Sequence, residues 1–326
     1  MTAYVIRRLF WVVPVLLGVS IVTFGMLKSV PGDPVMRTLM VGRAGGVPSS
    51  AADRERLREQ LGLDKPVYLQ YVDWLGEILH GNLGESIERN QPVLDLILER
   101  LPYTMKLAGV SLVLTLLISL PLGVISAVKQ NTGVDYGLTL FSFIGISIPA
   151  FWLALMMLFF FGAELQWLPT RGMQSIDVEP GFWNSVQDTV AHYVLPVAAV
   201  TLIGLSGYVR FQRAAMLEVL GQDYVRTARA KGLPERTVIF KHAWRNALIP
   251  IVTLLGYVLV ILVEGSIVVE SIFSWPGMGL LAVHALENRD YPLVMGVVLL
   301  SSLMIVFGTL LSDILYAVID PRVRYD

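Results

Sequence analysis

Apolar residues run almost unbroken through six stretches of the 326-residue chain, roughly 9–28, 106–128, 137–162, 193–213, 247–270 and 291–316. Each is long enough to cross a hydrocarbon layer of about 30 Å at about 1.5 Å per helical residue. The charges that interrupt them, Lys106, Arg210 and Asp313, fall near predicted ends, where long side chains snorkel or face protein. The pattern predicts an all-α membrane protein with six transmembrane helices. Arg7 and Arg8 precede the first run and Arg322 and Arg324 follow the last, which places both termini in the cytoplasm. The first run starts like a signal peptide. It continues from Leu9 to Leu27, however, and Lys28-Ser29-Val30-Pro31 is no small-residue cleavage site, so it reads as a retained span.

The polar segments between the runs set the organisation: an N-terminal tail and first span over 1–30, an extracytoplasmic helical insertion over 31–102, and a core of five spans over 103–326. The insertion carries eleven acids against eight bases, and a loop of this length escapes the positive-inside rule. Within it, Pro31-Gly32-Asp33-Pro34 is a turn, Ala51 to Leu61 a charged helix, Tyr68 to Ile78 an amphipathic aromatic helix, His80 to Ser86 a glycine-rich turn and Pro92 to Arg100 a short helix. Gly162 to His192 forms a second outward loop with Trp167 and Trp183 as interface anchors. Ser271 to Pro292 forms a third, in which Trp275 anchors and Pro276, Gly277 and Gly279 force a turn, with His284 and Asp290 on a solvated rim.

Composition agrees: 55% of residues are hydrophobic and 16% charged, the balance of a polytopic membrane protein. A net charge of −1 offers nucleic acid no field, and the lack of cysteine excludes disulfides, thiolate metal sites and a cysteine nucleophile. The four histidines are scattered without metal-ligand spacing, and no phosphate-binding loop GxxxxGK[ST], GxSxG or HExxH pattern is present. The chain therefore reads as a non-enzyme without a metal or cofactor of its own.

Glu218 to Pro250 is the polar exception in the second half. From Arg210 to Arg245 eight bases face three acids, so the loop lies on the cytoplasmic side. Asp223 to Lys231 predicts a short helix, with its acid at the start and Arg229 and Lys231 at the end, as the helix dipole favours. Gly232 suits a left-handed C-terminal cap, and Pro234 suits the first position of a second helix. Tyr224, Thr227, Ala228 and Lys231 share one face, and the small Ala228 and Gly232 let another surface approach.

Two carboxylates stand out in the fifth run. Glu264 lies about two-thirds of the way across and Glu270 at the outer boundary. Burying a carboxylate in a membrane costs about 2.5–3.5 kcal/mol on insertion scales, so each should face a cavity or a protein partner. Either they line a translocation pathway or they hydrogen-bond to a neighbouring helix.

Arg226-Thr227-Ala228-x3-Gly232 resembles the EAA loop of binding-protein-dependent ABC importer permeases. The words YVRTARAKG and HAWRNALIP resemble those of the dipeptide and oligopeptide branch. Leu248-Ile249-Pro250 follows Gly232 at the longer spacing of that branch. PGDP, LGLDKP, GNLG, ESIFSWPGMG and RDYP extend the resemblance over nearly the whole chain. It implies a type I ABC importer transmembrane subunit in a bacterial or archaeal inner membrane. Asp223, Tyr224, Arg226, Thr227, Ala228, Arg229, Lys231 and Gly232 would couple to an ATPase, with ATP and Mg held by that partner. Trp275, Pro276, Gly277, Gly279 and Asp290 would lie near an external solute-binding protein. The implied partners are a second homologous permease, one or two ABC ATPases, the binding protein and a peptide substrate. A rival, the ion-coupled secondary transporter, would want several embedded ionisable groups and an internal repeat, where the sequence shows one clear carboxylate and no repeat. An intramembrane hydrolase would need a paired nucleophile and base that no span supplies.

Overall fold

The computed structural model describes residues 2–29, 64–175, 180–251, 262 and 266–319. Glu264, the PGDP turn and the charged stretch Ala51 to Leu61 lie outside the described residues, as does most of the fifth apolar run. All regular elements among the described residues are helical. Four are single helices long and apolar enough to span a membrane, and a fifth candidate is a bent pair. The chain divides into two compact units, one of residues 1–102 with 281–306 and the other of residues 103–280 with 307–326.

In the first unit, α1 (Thr2–Ser29) is the uninterrupted apolar run that the sequence predicts. The aromatic helix α2 (Val67–Leu79) follows Pro66, which cannot continue a helix backwards and occupies the N-cap. Ser20 of α1 meets Tyr71 of α2, hydroxyl to hydroxyl, at 2.8 Å, and Phe24, Tyr71 and Trp74 form an aromatic cluster with ring centroids 5.5–6.0 Å apart. The short helix expected over Pro92 to Arg100 is instead the start of α3 (Val93–Val128), a single 36-residue helix. Its Leu101-Pro102 does not end it. Val93, Leu96 and Ile97 are buried in the same unit as Leu293 and Met295 of α12 (Tyr291–Ile319), whose Gly296 lies against Val93.

In the second unit, the third apolar run is broken. The helix α4 (Gly133–Ser147) stops where Pro149 drives Ile148 into extended backbone (φ −79°, ψ 124°), because the proline ring crowds the residue before it. The chain resumes as α5 (Ala150–Met157) and a π-helical turn (Leu158–Glu164), bent 99° from α4. A single continuous span over 137–162 was the expectation, and the Ile148-Pro149 step overturns it. The helix α6 (Phe182–Leu220) starts well before the predicted 193. His192, expected in a loop, is therefore a buried helical residue whose ring nitrogen lies 2.8 Å from the Asp188 carbonyl.

Between helices in lipid the hydrophobic effect supplies little drive, so small and hydroxyl-bearing residues at the contact do the packing. Along α3 these are Ser111 and Thr115, both buried, and along α6 they are Thr201 and Gly204, the latter against Thr115. The Thr201 hydroxyl donates to the Ser111 carbonyl (3.4 Å), and Thr115 donates to the Thr201 carbonyl (3.5 Å). Gly123 lies so close to Gln212 that a β-carbon there would stand 2.6 Å from the glutamine side chain.

Candidate functional site

The basic segment begins where α6 ends. The helix α7 (Asp223–Ala230) has one inward face and one outward face. Val225 and Ala228, three residues apart, are buried against Met216 of α6 and against Val238, Ala243 and Ala247 of the following segment. Asp223, Tyr224, Arg226, Thr227, Arg229, Lys231 and Gly232 are all exposed. Ala228 is thus separated from the other candidate coupling residues. Its small side chain lets α7 approach the chain's own core, rather than lying open to a partner as the sequence suggested.

The end of α7 is fixed by its backbone. Gly232 takes φ +74°, its N–H donates to the Arg229 carbonyl (2.9 Å), and the Leu233 N–H reaches back to Ala228 (3.4 Å). This is the Schellman arrangement, and its left-handed residue is the one position here where a β-carbon would be strained by backbone alone. Pro234 sits one residue earlier than expected, at the N-cap rather than the first helical position of α8 (Glu235–Thr237), since its ψ of 136° is extended. A π-helical turn (Val238–Trp244) and α9 (Arg245–Ala247) continue it.

Two contacts clamp α7 to this second arm. Arg229 donates to Glu235 through Nη2 (2.8 Å) and Nε (3.2 Å), and the Asn246 amide donates to the Tyr224 hydroxyl (3.1 Å). The Arg229 hydrogen bonds hold the Glu235 carboxyl below its ordinary value, and the same bonds raise the Arg229 guanidinium. Arg210, Arg236, Lys241 and Arg245 are exposed as well, so the whole elbow is a cationic surface on an apolar base.

Beneath it lies an ion pair that sequence reading missed. Asp135, in the first turn of α4, is buried and receives both Nε (2.7 Å) and Nη2 (2.8 Å) of Arg213 from α6. The Ser126 hydroxyl (2.6 Å) and the Asn131 N–H (3.0 Å) complete the carboxylate's shell. Both residues sit at the polar ends of apolar runs, where a charge draws no notice, and nothing in the linear sequence pairs residues 78 apart.

The residues assigned to the third loop divide between the two units. Within the second unit, Trp275 is completely buried. Its indole N–H donates to the Tyr103 carbonyl (3.1 Å) and its ring stacks edge-on to Tyr193 at 4.5 Å. It is a core residue and not an interface anchor, because its polar edge is satisfied inside the protein. Glu270 lies in the first turn of α10 (Ile267–Ile272) and is also fully buried. It accepts from the Thr104 hydroxyl (2.9 Å) and from the N–H groups of Gly279 (2.7 Å) and Leu280 (3.3 Å). Thr104 in turn accepts from the Met278 N–H (2.7 Å). Three orphan donors at the start of α11 (Met278–Glu287) are thereby satisfied, one by the Thr104 hydroxyl and two by a carboxylate that the helix dipole also favours. Gly277 is forced by close approach: a β-carbon would lie 2.4 Å from Thr104 Oγ1 and 2.5 Å from the Glu270 carboxylate. Pro276 is half-buried and Gly279 buried.

Within the first unit, Asp290 is buried rather than on a solvated rim. It caps α12 by accepting from the Leu293 N–H (3.3 Å), and it also receives the Ser86 hydroxyl (2.5 Å) and the N–H groups of Ile87 (3.2 Å) and Glu88 (3.3 Å). His284 is exposed, as expected.

A helical, multi-pass membrane protein that presents a basic, rigidly capped elbow on its own core is the class these features define. Residues 119–325 match the family model described as "Binding-protein-dependent transport system inner membrane component", and residues 1–108 match the corresponding N-terminal model. The chain belongs to this family of transport-system membrane components. It is 44% identical over 326 residues to the oligopeptide transport system permease protein AppB of Bacillus subtilis, covering 100% of both chains. It is 41% identical over 325 residues to a putative peptide permease protein of Brucella suis, covering 99% of both. With the dipeptide transport system permease protein DppB of Escherichia coli it shares 37% identity over 342 residues, covering 100% of this chain and 99% of that one.

Proposed function

We propose that this chain is a transmembrane permease subunit of an ATP-driven importer of di- or oligopeptides, with six spans and both termini in the cytoplasm. It pairs with a second homologous permease, receives substrate from an external solute-binding protein and is driven by ABC ATPase subunits. The observation that carries this reading is the form of the α7 elbow. Seven of the eight residues matching the coupling loop are exposed, on a helix whose apolar face is seated in the chain's own core. The names of the full-length relatives support peptides as the substrate class.

The mechanism follows from the seating. A load applied to α7 passes through Val225 and Ala228 to Met216 of α6, and from Arg213 to Asp135 of α4. Displacement of the elbow by ATP-driven closure of the ATPases then moves α4 and α6 as a body. Switching such a bundle from 1:99 to 99:1 requires a differential of about 5.5 kcal/mol between states, which the chain alone does not supply.

The test is a mild-detergent purification of the tagged chain, followed by mass spectrometry and ATPase assay. A second permease-like protein and P-loop ATPases should co-purify, and substituting Arg226 and Lys231 by Glu should release the ATPases while leaving the membrane partner bound. Peptide uptake driven by a proton gradient without ATPase subunits would overturn the proposal in favour of ion coupling.

A further inference from the structure

A cavity of about 320 Å³ opens in the first unit, at the ends of two candidate spans. Its walls are Phe24 and Leu27 from the end of α1, Trp74 from α2, and Pro292 and Met295 from the start of α12. Leu83 and Ile87 of the intervening loop close its floor. This volume lies in the range of about 300–1,000 Å³ typical of pockets that hold small organic molecules. The lining is overwhelmingly apolar, while its charged residues, Lys28, Asp73 and Glu77, are exposed at the mouth.

Depth identifies the occupant. The span Phe10–Ser29 ends at the cavity and the span Tyr291–Leu310 begins there. The mouth therefore lies at the boundary between hydrocarbon and headgroups, whichever side of the membrane it faces. The Phe24, Tyr71 and Trp74 cluster is the aromatic chemistry that settles at that boundary. The mouth carries both signs of charge. The Lys28 ammonium stands over the Phe24 ring at 5.5 Å and donates to Gln70 (2.5 Å), with two of its three N–H groups left for another acceptor. Opposite it, Asp73 and Glu77 lie one turn apart on α2. Asp73 pairs with Lys65 (2.6 Å) and Glu77 accepts from Asn82 (2.8 Å), so each keeps acceptor capacity.

We propose that the cavity holds one acyl chain of a zwitterionic ethanolamine phospholipid, its phosphate facing Lys28 and its ammonium facing Asp73 and Glu77. An anionic headgroup would satisfy Lys28 but oppose two carboxylates. A headgroup with a quaternary amine would meet the carboxylates without donating a hydrogen bond. The apolar walls exclude a polar solute from the interior. A bound chain would fill the space between α1, α2 and α12 and tie the end of α1 to the rest of its unit.

Photo-labelling of the full chain, in the complex with which it purifies, tests this without any need for transport. The complex is placed in phosphatidylcholine vesicles doped with either phosphatidylethanolamine or phosphatidylglycerol carrying a diazirine on one acyl chain. Labelled residues are then mapped by mass spectrometry. The expected result is concentration of label on Phe24–Lys28, Trp74 and Met295, at least threefold higher for the ethanolamine lipid. Met295→Trp or the less buried Leu27→Trp should fill the cavity and reduce this labelling at least fivefold, with labelling elsewhere on the chain unchanged. Asp73→Asn combined with Glu77→Gln should abolish the preference between headgroups. Equal labelling by the two lipids, insensitivity to Leu27→Trp, or occupation of the cavity by a second protein in place of label would each overturn the proposal. Because the readout is lipid occupancy, failure here leaves the importer reading standing, and failure of that reading leaves the lipid site standing.

Discussion

Arg213 grips Asp135 with two near-parallel hydrogen bonds, at 2.7 and 2.8 Å, across 78 residues of sequence. The pairing joins the first turn of α4 to the stretch of α6 that supports the basic elbow. Removing one partner of a buried pair costs about 3–5 kcal/mol. The Arg213 side chain keeps 26% of its exposure, so Asp135→Asn should fall at the low end of that range. The expected result is a lower midpoint of thermal denaturation in detergent and reduced ATP-driven uptake. Arg213→Lys, which keeps the charge but loses the fork, should be intermediate. Wild-type stability and uptake in Asp135→Asn would remove the pair from the force path.

Gly232 separates conformation from contact. Nothing lies within 4 Å of where its β-carbon would stand, yet its φ is +74°. An ordinary L-residue in that region costs about 1–2 kcal/mol, and asparagine tolerates it best. Gly232→Ala should therefore loosen the elbow and weaken ATPase retention, whereas Gly232→Asn should retain most of it. Equal loss in both variants would show that a partner surface occupies the space above the glycine.

The Glu270–Thr104 knot predicts a stability effect without a selectivity effect. Thr104→Val strands the Met278 N–H and one carboxylate oxygen, and a buried unsatisfied polar group costs about 1–3 kcal/mol. Glu270→Gln retains the shape but places an amide where Thr104 donates. Both variants should unfold at lower temperature, which Trp275 fluorescence would report, with the relative uptake rates of different peptides unchanged. Altered peptide preference at unchanged stability would instead put Glu270 on the translocation pathway.

The Arg229–Glu235 clamp gives a pH dependence whose sign is fixed. The native carboxyl is held below its ordinary value, so the clamp's contribution is fully present above the unfolded value of about 4.3 and fades as pH falls through the lower native one. Both side chains are largely exposed, which limits the contribution to under about 1 kcal/mol at moderate salt. Proteolysis of the loop should thus be constant across neutral pH. Arg229→Gln should raise its rate modestly at neutral pH and remove the acid-dependent increase expected of the wild type.

Four of the six runs were legible as single spanning helices because apolar runs of about 20 residues have few other uses. The form of α7 was legible for a local reason: the acid at its start, Gly232 at its end and Pro234 beyond are all readable within a dozen residues. The bend at Ile148-Pro149 carried its own signal, a proline inside an apolar run, which hydropathy outweighed. What could not be read was burial of polar groups. Asp290 looks like a rim residue and Trp275 like an interface anchor, since loops are usually solvated, and Glu270 reads equally as a pathway residue. Each is instead the centre of a hydrogen-bonded knot whose partners, Tyr103, Ser86 and Thr104, lie more than 160 residues away. Ala228 was assigned to the wrong face for a related reason, because helical spacing shows which residues share a side but not which side the core takes.

The hydroxyl-lined contact of α3 with α6 constrains how any gate can be built. Parting these helices would break the Thr115–Thr201 and Thr201–Ser111 hydrogen bonds in hydrocarbon, where water cannot replace lost partners. Gly123, pressed against Gln212, leaves no clearance for one helix to slip past the other. The two therefore hold together as a welded beam, and on the proposed importer reading a passage for solute would open along some other line, with α3 and α6 forming one wall that swings without splitting.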